Sequence, residues 1–187
     1  MKHFLATLLL SLTGAAVADN TPNIDNSSSL DNPIYINLNT GVAKIYNLPT
    51  GSWAASVNAG YNFNPYFALE GGYNILASSQ YGATATSSIF DVAAKGTLPL
   101  SEVFSLYGRA GIGYGIDGWS GTASGTPSWL CAGQYNASYA TALVGVGGSF
   151  TLSKHFDLLI EDYAFIPFSN TMTGGTNIVT FGTQYNF

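Results

Sequence analysis

Apolar and polar residues alternate along most of this chain with a period of two, the pattern typical of β-strands. Between Val57 and Asn64 every second side chain is apolar, and after the Asn64-Pro65 turn the alternation resumes as far as Tyr73. One face of this hairpin is rich in aromatic residues, whereas the other carries amides and the carboxylate of Glu70. The hairpin therefore predicts two antiparallel strands with one apolar and one polar face.

The same alternation and its turn signals predict eight strands, each near the roughly 9 to 11 residues that a tilted strand needs to cross a bilayer. They cover residues 34–42, 52–63, 66–76, 86–98, 104–116, 137–150, 156–166 and 176–187. Strand six is less regular because Leu143 falls on its polar face. In strand seven the phase is ambiguous at Asp162, where we expect a β-bulge. No amphipathic helix of convincing length interrupts the series, so the fold class is all-β.

The connections alternate between short and long. Short turns follow strands two, four and six, at Asn64-Pro65, 99–103 and 151–155, and longer loops rich in Gly, Ser and Thr lie at 43–51, 77–85, 117–136 and 167–175. Eight aromatic residues gather beside the short turns: Tyr61, Phe63, Phe67, Phe104, Phe150, Phe156, Tyr185 and Phe187. Short turns at one end, long loops at the other and an aromatic girdle are typical of a transmembrane up-and-down barrel with periplasmic turns and extracellular loops.

The beginning of the chain and the charge composition fit this location. Residues 1–18 combine Lys2, a short apolar run and an Ala-Val-Ala processing site, which predicts a secretory signal peptide. Residues 19–33 form a polar leader, and residues 34–187 form the barrel domain. Without Lys2 the chain carries 4 Lys+Arg against 10 Asp+Glu, a net charge of −6, which disfavours nucleic acid as a partner.

The hairpin GYNFNPYFALEGGY at 60–73, the eight strands and the aromatic C-terminal strand ending in Phe187 resemble the OmpA/OmpX-type small outer-membrane β-barrels. The resemblance implies an eight-stranded antiparallel barrel in the bacterial outer membrane. It also implies that Tyr185 and Phe187 belong to the signal read by the barrel-assembly machinery. The architecture carries adhesins, structural barrels and lipid-modifying enzymes alike, so the resemblance does not fix an activity.

Other conspicuous residues have structural interpretations. The glycines of Gly-Ile-Gly-Tyr-Gly at 111–115 occupy alternate strand positions with no helix after them, which favours space inside a narrow barrel over a phosphate site. Cys131 is the single cysteine, so an internal disulfide and a multi-cysteine metal site are excluded. We expect no metal and no cofactor. His155 lies at a short turn, away from the outer leaflet that a deacylase would serve, and Trp119 and Trp129 in the longest loop either anchor that loop or contact a partner.

Four inward-facing charges are expected at a similar height in the barrel: Glu70, Lys95, Arg109 and Glu161. Each lies four or five residues from a short turn, and their charges sum to zero. A barrel of eight strands is narrow enough for side chains to fill, and buried charges need opposite charges beside them. We therefore predict an ion-pair layer that closes the interior, with a gated ion path as the alternative.

These observations predict a non-enzymatic, monomeric outer-membrane barrel whose loops contact an extracellular protein or glycan, or which supports envelope integrity. Its other partners are outer-membrane lipid and, during insertion, the assembly machinery. The alternatives are a narrow or gated porin-like channel, an outer-membrane lipid-modifying enzyme and a soluble ligand-binding barrel.

Overall fold

The computed structural model describes residues 33–45, 51–80, 83–121, 135–169 and 175–187. Eight antiparallel strands close into one barrel in which each strand pairs with its sequence neighbours and β1 pairs with β8, as the sequence predicted. They are β1 Ile34–Ile45, β2 Ser52–Asn64, β3 Phe67–Gln80, β4 Ala83–Pro99, β5 Phe104–Gly121, β6 Tyr135–Ser153, β7 Phe156–Pro167 and β8 Thr176–Asn186. No helix in the described part of the chain is long and apolar enough to cross a membrane.

The strand register fixes the tilt of the barrel wall. A path of paired residues that leaves β1 at Tyr35 and passes once around the barrel returns to β1 at Ile45, ten residues further along. With about 3.3 Å per residue and 4.8 Å between strands, this stagger corresponds to a tilt of about 40°. Each residue then rises about 2.5 Å along the barrel axis. Side chains that are distant in sequence reach the same height inside.

The two faces of the wall have the composition that the alternation predicted. Leu38, Val57 and Ile112 point outward and are 59%, 42% and 66% exposed, whereas Asn37 and Asn58 point inward and are 3% and 1% exposed. A closed barrel with an apolar outer face and a polar inner face is the arrangement of an outer-membrane protein. A soluble ligand-binding barrel would have the opposite faces, so this alternative is wrong.

The predicted girdle lies at the end that carries the turns after β2, β4 and β6, called here the short-turn end. Tyr61, Phe63 and Phe67 form one aromatic contact chain, with centroids 5.2 and 5.7 Å apart. Phe156, Tyr185 and Phe187 form another, with both neighbouring centroids 5.0 Å apart. Exposed aromatic rings at one rim of the apolar surface are the girdle of a membrane interface.

Several expectations about local structure are wrong. The loop expected at 117–136 is shorter, because β5 continues to Gly121 and β6 begins at Tyr135, so the backbone of Trp119 lies in a strand. The segment 77–85 is no long loop, because β3 and β4 continue and pair as far as Gln80 and Ala83, leaving only residues 81–82 between them. There is no bulge at Asp162, because its pairing with Val146 and Val179 is continuous on both sides. The register shifts occur at 62–64 and 151–153, beside short turns. Asp162 keeps the phase of its strand and points outward.

The barrel wall is higher on one side than on the other. Strands β4, β5 and β6 have 17, 18 and 19 residues, whereas β7, β8 and β1 have 12, 11 and 12. Every strand has one end near the short-turn end. At the opposite end, called here the far rim, β3–β6 therefore extend about 10 Å further along the barrel axis than the other strands. On this raised wall the outer face becomes small and polar, for example at Thr86 and Ser138, both exposed. We call β3–β6 beyond the apolar belt the raised wall.

Candidate functional site

The four charges expected to form a layer lie together in the barrel interior. Glu70 on β3 pairs with two cations: its Oε1 is 3.0 Å from Lys95 Nζ, and its Oε2 is 2.9 Å from Arg109 Nε. Glu161 reaches Arg109 from the other side, with 2.8 Å between Glu161 Oε1 and Arg109 Nη1. Glu70 thus lies between the two cations of neighbouring strands, so the repulsion between Lys95 and Arg109 is compensated mainly from β3.

Asp91 is a fifth member, in addition to the four residues predicted from the sequence. Its Oδ1 is 3.5 Å from Arg109 Nη2, and its Oδ2 accepts a 2.7 Å hydrogen bond from Asn74. Asn74 in turn accepts from the Tyr163 hydroxyl at 2.8 Å. With Asp91 included, three carboxylates face two cations, so the formal charge of the group is −1 and not zero. We call these five residues the ionic layer.

Inward tyrosines line the ionic layer. Tyr35 donates a 2.6 Å hydrogen bond to Glu70, and the Lys95 ammonium lies 4.9 Å from the Tyr35 ring centroid and 4.3 Å from that of Tyr107. The Arg109 guanidinium lies 5.7 Å from the Tyr163 ring. Aromatic faces attract cations, most strongly where water is excluded. The two cations are therefore surrounded by carboxylates and aromatic rings.

Glycines give these rings their space. Four inward tyrosines whose side chains are described each face a glycine on the adjacent strand: Tyr35 faces Gly60, Tyr107 faces Gly147, Tyr139 faces Gly115 and Tyr163 faces Gly145. A Cβ atom at any of these glycines would collide with its tyrosine. Gly115 belongs to the Gly-Ile-Gly-Tyr-Gly motif, and at Gly111 a Cβ atom would collide with the β4 backbone. The motif thus allows close packing, as expected.

Above the ionic layer, toward the far rim, a group of large apolar side chains is buried in the interior, beside smaller polar ones such as Thr141. Five side chains at most 2% exposed pack there: Leu76, Ile89, Leu143, Phe165 and Ile178. By strand position they lie about 10 Å further from the short-turn end than the ionic layer. We call them the apolar layer. The irregular Leu143 on the polar face of β6 belongs to it, and two different layers in succession therefore fill the barrel.

Below the ionic layer, a third group occupies the mouth at the short-turn end. Asp157 Oδ2 accepts hydrogen bonds from Gln184 at 3.2 Å and Asn186 at 2.9 Å. His155 lies just outside, where its Nδ1 is 2.8 Å from the Asn186 carbonyl oxygen and its ring stacks on Tyr185 at 5.9 Å. These contacts give His155 a structural role in fastening the turn to the C-terminal strand.

The remaining candidates are placed as follows. Tyr185 and Phe187, the expected assembly signal, face outward in the girdle and are 38% and 56% exposed. The described residues do not include the signal peptide 1–18, the leader up to residue 32, Trp129 or Cys131. The side chain of Trp119 is not described either. Within the described ranges, no group of three or more His, Cys, Asp or Glu side chains could hold a metal ion.

Solved structures of small outer-membrane barrels have the same fold. The neisserial surface protein A matches with a TM-score of 0.66 at 12% identity, covering 82% of this chain and 96% of that chain. The N-terminal barrel of OprF from Pseudomonas aeruginosa matches with 0.59 at 12% identity, covering 82% and 97%. Ail, the attachment invasion locus protein of Yersinia pestis, matches with 0.55 at 17% identity, covering 82% and 96%. Ail has also been solved in complex with the heparin analogue sucrose octasulfate.

No curated protein sequence matches this chain significantly. By contrast, the family model of the outer membrane protein beta-barrel domain matches residues 4–187 of this chain. The protein therefore belongs to the family of outer-membrane β-barrel proteins, as its alternating strands and filled polar interior indicate.

Proposed function

We propose that this outer-membrane barrel is non-enzymatic and acts as a closed support for surface contacts, in adhesion to an extracellular protein or glycan or in envelope integrity. The main observation behind this proposal is that two successive layers of side chains, the ionic layer and the apolar layer, occupy the interior. A filled interior leaves the outer surface and the raised wall as the places where the protein can meet partners. The family membership agrees with its predicted location in the bacterial outer membrane.

The closed interior is tested by conductance. Purified protein reconstituted in planar bilayers should give no large steady current, because large apolar side chains are buried in the interior and the charges below them are paired with one another. Stable porin-sized currents from the unmodified protein would contradict the closed interior. They would favour the alternative of a narrow or gated ion channel.

The contacts of His155 argue against an enzyme. Its Nδ1 is 2.8 Å from the Asn186 carbonyl oxygen at the short-turn end. A deacylase-type mechanism needs a histidine within hydrogen-bond reach of a nucleophile, facing the leaflet that holds its substrate. His155 is the single histidine between residues 33 and 187. His155→Ala should therefore leave lipid composition and surface binding unchanged; a changed lipid A or phospholipid profile would contradict the proposal.

The charge of the chain restricts the kind of surface partner. Ail binds a sulfated heparin analogue, which needs a cationic surface. Here Lys95 and Arg109 are buried in the ionic layer, and Lys44 is the one exposed cation that the described residues carry toward the far rim. Residues 46–50, 81–82, 122–134 and 170–174 contain no lysine or arginine. We therefore propose an uncharged glycan or a protein as the partner, in preference to a sulfated polyanion. Cells producing the protein should show no added retention on immobilised heparin.

Replacement of residues 122–134, which connect β5 and β6, by a Gly-Ser linker of equal length tests whether this connection makes the surface contacts. Cells producing either form would be compared for binding to immobilised extracellular-matrix proteins and neutral glycans, and for detergent resistance. Lost binding with unchanged resistance supports adhesion, and unchanged binding with lower resistance supports an envelope role. No change in either property contradicts the proposal. Heat-modifiable migration on detergent gels serves as the folding control.

The orientation is part of the proposal, with the raised wall outside the cell. After replacement of Cys131, single cysteines at Ser124 and at Ser153 would be labelled in intact cells with a membrane-impermeant maleimide. Only the cysteine at position 124 should react, because Ser153 ends β6 at the short-turn end. Labelling at position 153 alone would show that the orientation is inverted.

A further inference from the structure

A polar pair lies on the outer face of the barrel, within the belt that faces lipid. Asp162 on β7 and Asn177 on β8 both point outward and are exposed. Asn177 Nδ2 donates a 2.8 Å hydrogen bond to Asp162 Oδ1. Among the described side chains on the outer face of the strands, Asp162 and Lys44 are the two that carry a charge.

Asp162 lies deep in this belt. It is six residues beyond Phe156, an aromatic residue of the girdle, which corresponds to a rise of about 15 Å at 2.5 Å per residue. The apolar band of an outer-membrane barrel is about 25 Å tall, so Asp162 lies near its middle. Headgroups do not reach this depth, and hydrocarbon offers no hydrogen bonds. An ionisable side chain at such a position indicates a functional contact.

The hydrogen-bonding capacity of the pair exceeds what one copy uses. The amide nitrogen of Asn177 has two hydrogens, and one of them is donated to Asp162. The carboxylate of Asp162 offers about four acceptor positions. The pair thus has a donor and acceptors that can serve a second, identical pair.

We propose that this face is the interface of a dimer, in which the Asp162–Asn177 pair of one copy bonds the same pair of a second copy. Two copies inserted in the same direction are related by a twofold axis along the membrane normal, which keeps equal residues at equal height. Asn177 of each copy can then donate its second hydrogen to Asp162 of the other. The four groups form a closed hydrogen-bonded set that excludes lipid.

The surroundings of the pair permit close approach of a second barrel. Three of the neighbouring outward side chains are the short aliphatics Ala164, Val146 and Val179. Lys44 on β1 lies opposite Asn177, and Ile160 precedes Asp162 on the same face of β7. The outer face of β3–β5, across the barrel, instead carries larger rings such as Phe90 and Tyr114. Short side chains beside a polar pair favour close packing between membrane-embedded surfaces. The proposed dimer differs from the monomer expected from the sequence.

Site-specific photo-crosslinking in outer membranes tests the dimer. A photoreactive amino acid would be placed at Ala164, beside the pair, and in a matched variant at Ala94, an outward alanine on β4 across the barrel. The Ala164 variant should give a product of twice the mass that contains only this chain, and the Ala94 variant should not. A product with a different protein, or with lipid alone, would overturn the proposal.

Asp162→Leu and Asn177→Val, each combined with the probe at Ala164, test the role of the pair. Both should abolish the crosslinked dimer while the amount of heat-modifiable folded barrel stays unchanged, because the lipid face tolerates apolar residues. A dimer that persists in both variants would overturn the proposal. Loss of folded barrel would do so too, since it would show that the pair serves one copy alone.

Discussion

The two layers inside the barrel fill neighbouring parts of the same space with different chemistry. In the ionic layer each charge lies within 3.5 Å of an opposite charge, and Arg109 alone contacts three carboxylates. In the apolar layer, side chains such as Leu143 and Phe165, both 1% exposed, pack without charged partners. In the ionic layer, the charges neutralise one another, so removal of one charge leaves its partners buried without an opposite charge. In the apolar layer, stability depends on how well the side chains fill the space, so the effect of a substitution remains local.

Arg109→Ala should produce the largest effect. It leaves Glu70, Asp91 and Glu161 buried with Lys95 as the remaining cation, and uncompensated buried charges cost about 3–5 kcal/mol. Urea unfolding of the protein in lipid vesicles would measure the loss. Lys154→Ala, at an exposed turn, is the matched control and should change the free energy of unfolding by less than about 0.5 kcal/mol.

The same variant separates the two layers in planar bilayers. Because the apolar layer remains, Arg109→Ala should weaken the barrel without opening a large steady conductance. A large current from folded Arg109→Ala would show that the ionic layer alone closes the interior, and the comparison between the layers would fail.

Leu143→Ala should cost about 3 kcal/mol of unfolding free energy, because it removes buried methyl groups from a packed interior. Val144→Ala, the next residue on β6, points to lipid and is 40% exposed, so we expect it to cost less. Equal losses at both positions, measured by urea unfolding, would contradict the packed apolar layer.

Gly72→Ala tests the packing between the layers. A Cβ atom at Gly72 would collide with Asn58 and lie 2.6 Å from Asp91 Oδ2, so the substitution should cost about 1–3 kcal/mol. At Gly71, which faces outward on the same strand, no heavy atom lies within 4 Å of such a Cβ atom. Gly71→Ala should be neutral or slightly stabilising in the same unfolding assay, whereas an equal loss there would argue against the assigned faces.

Tyr35→Phe should have the smallest effect, about 1–2 kcal/mol, because it removes one hydrogen bond to the charged Glu70 and leaves the ring over Lys95. Tyr61→Phe, on the exposed girdle, is the control for removal of a hydroxyl. If both substitutions change the free energy of unfolding by the same amount, the hydroxyl of Tyr35 does not stabilise the ionic layer.

Periodicity alone predicted the strands and their faces, because every membrane-spanning strand must alternate between lipid and interior. The same dependence on a lipid-facing side explains why 77–85 was wrongly predicted to be a loop. Beyond the apolar belt β3 and β4 no longer face hydrocarbon, so Ser79 and Thr84 break the alternation although backbone pairing continues. The face of Asp162 could not be predicted, because its hydrogen-bond partner Asn177 lies on another strand and the periodicity of one strand does not show such a partner.

The composition of the ionic layer was harder to predict than its height. Counting from the short turns brought Glu70, Lys95, Arg109 and Glu161 to one level. Asp91 was missed because its backbone lies higher, and only the long side chain of Arg109 bridges the difference. The pairing of each inward tyrosine with a glycine likewise depends on the cross-strand register, which the sequence pattern does not contain.

The unequal strand lengths have a mechanical consequence. Strands β7, β8 and β1 have 11 or 12 residues, whereas β4 to β6 have 17 to 19. A strand leaves a sheet by breaking its hydrogen bonds in sequence, so the work of extraction grows with strand length. A barrel pulled from its C-terminus in a force microscope should release the β7–β8 hairpin at low force. The long hairpin of β5 and β6, which is next along the chain, should be released at a higher force.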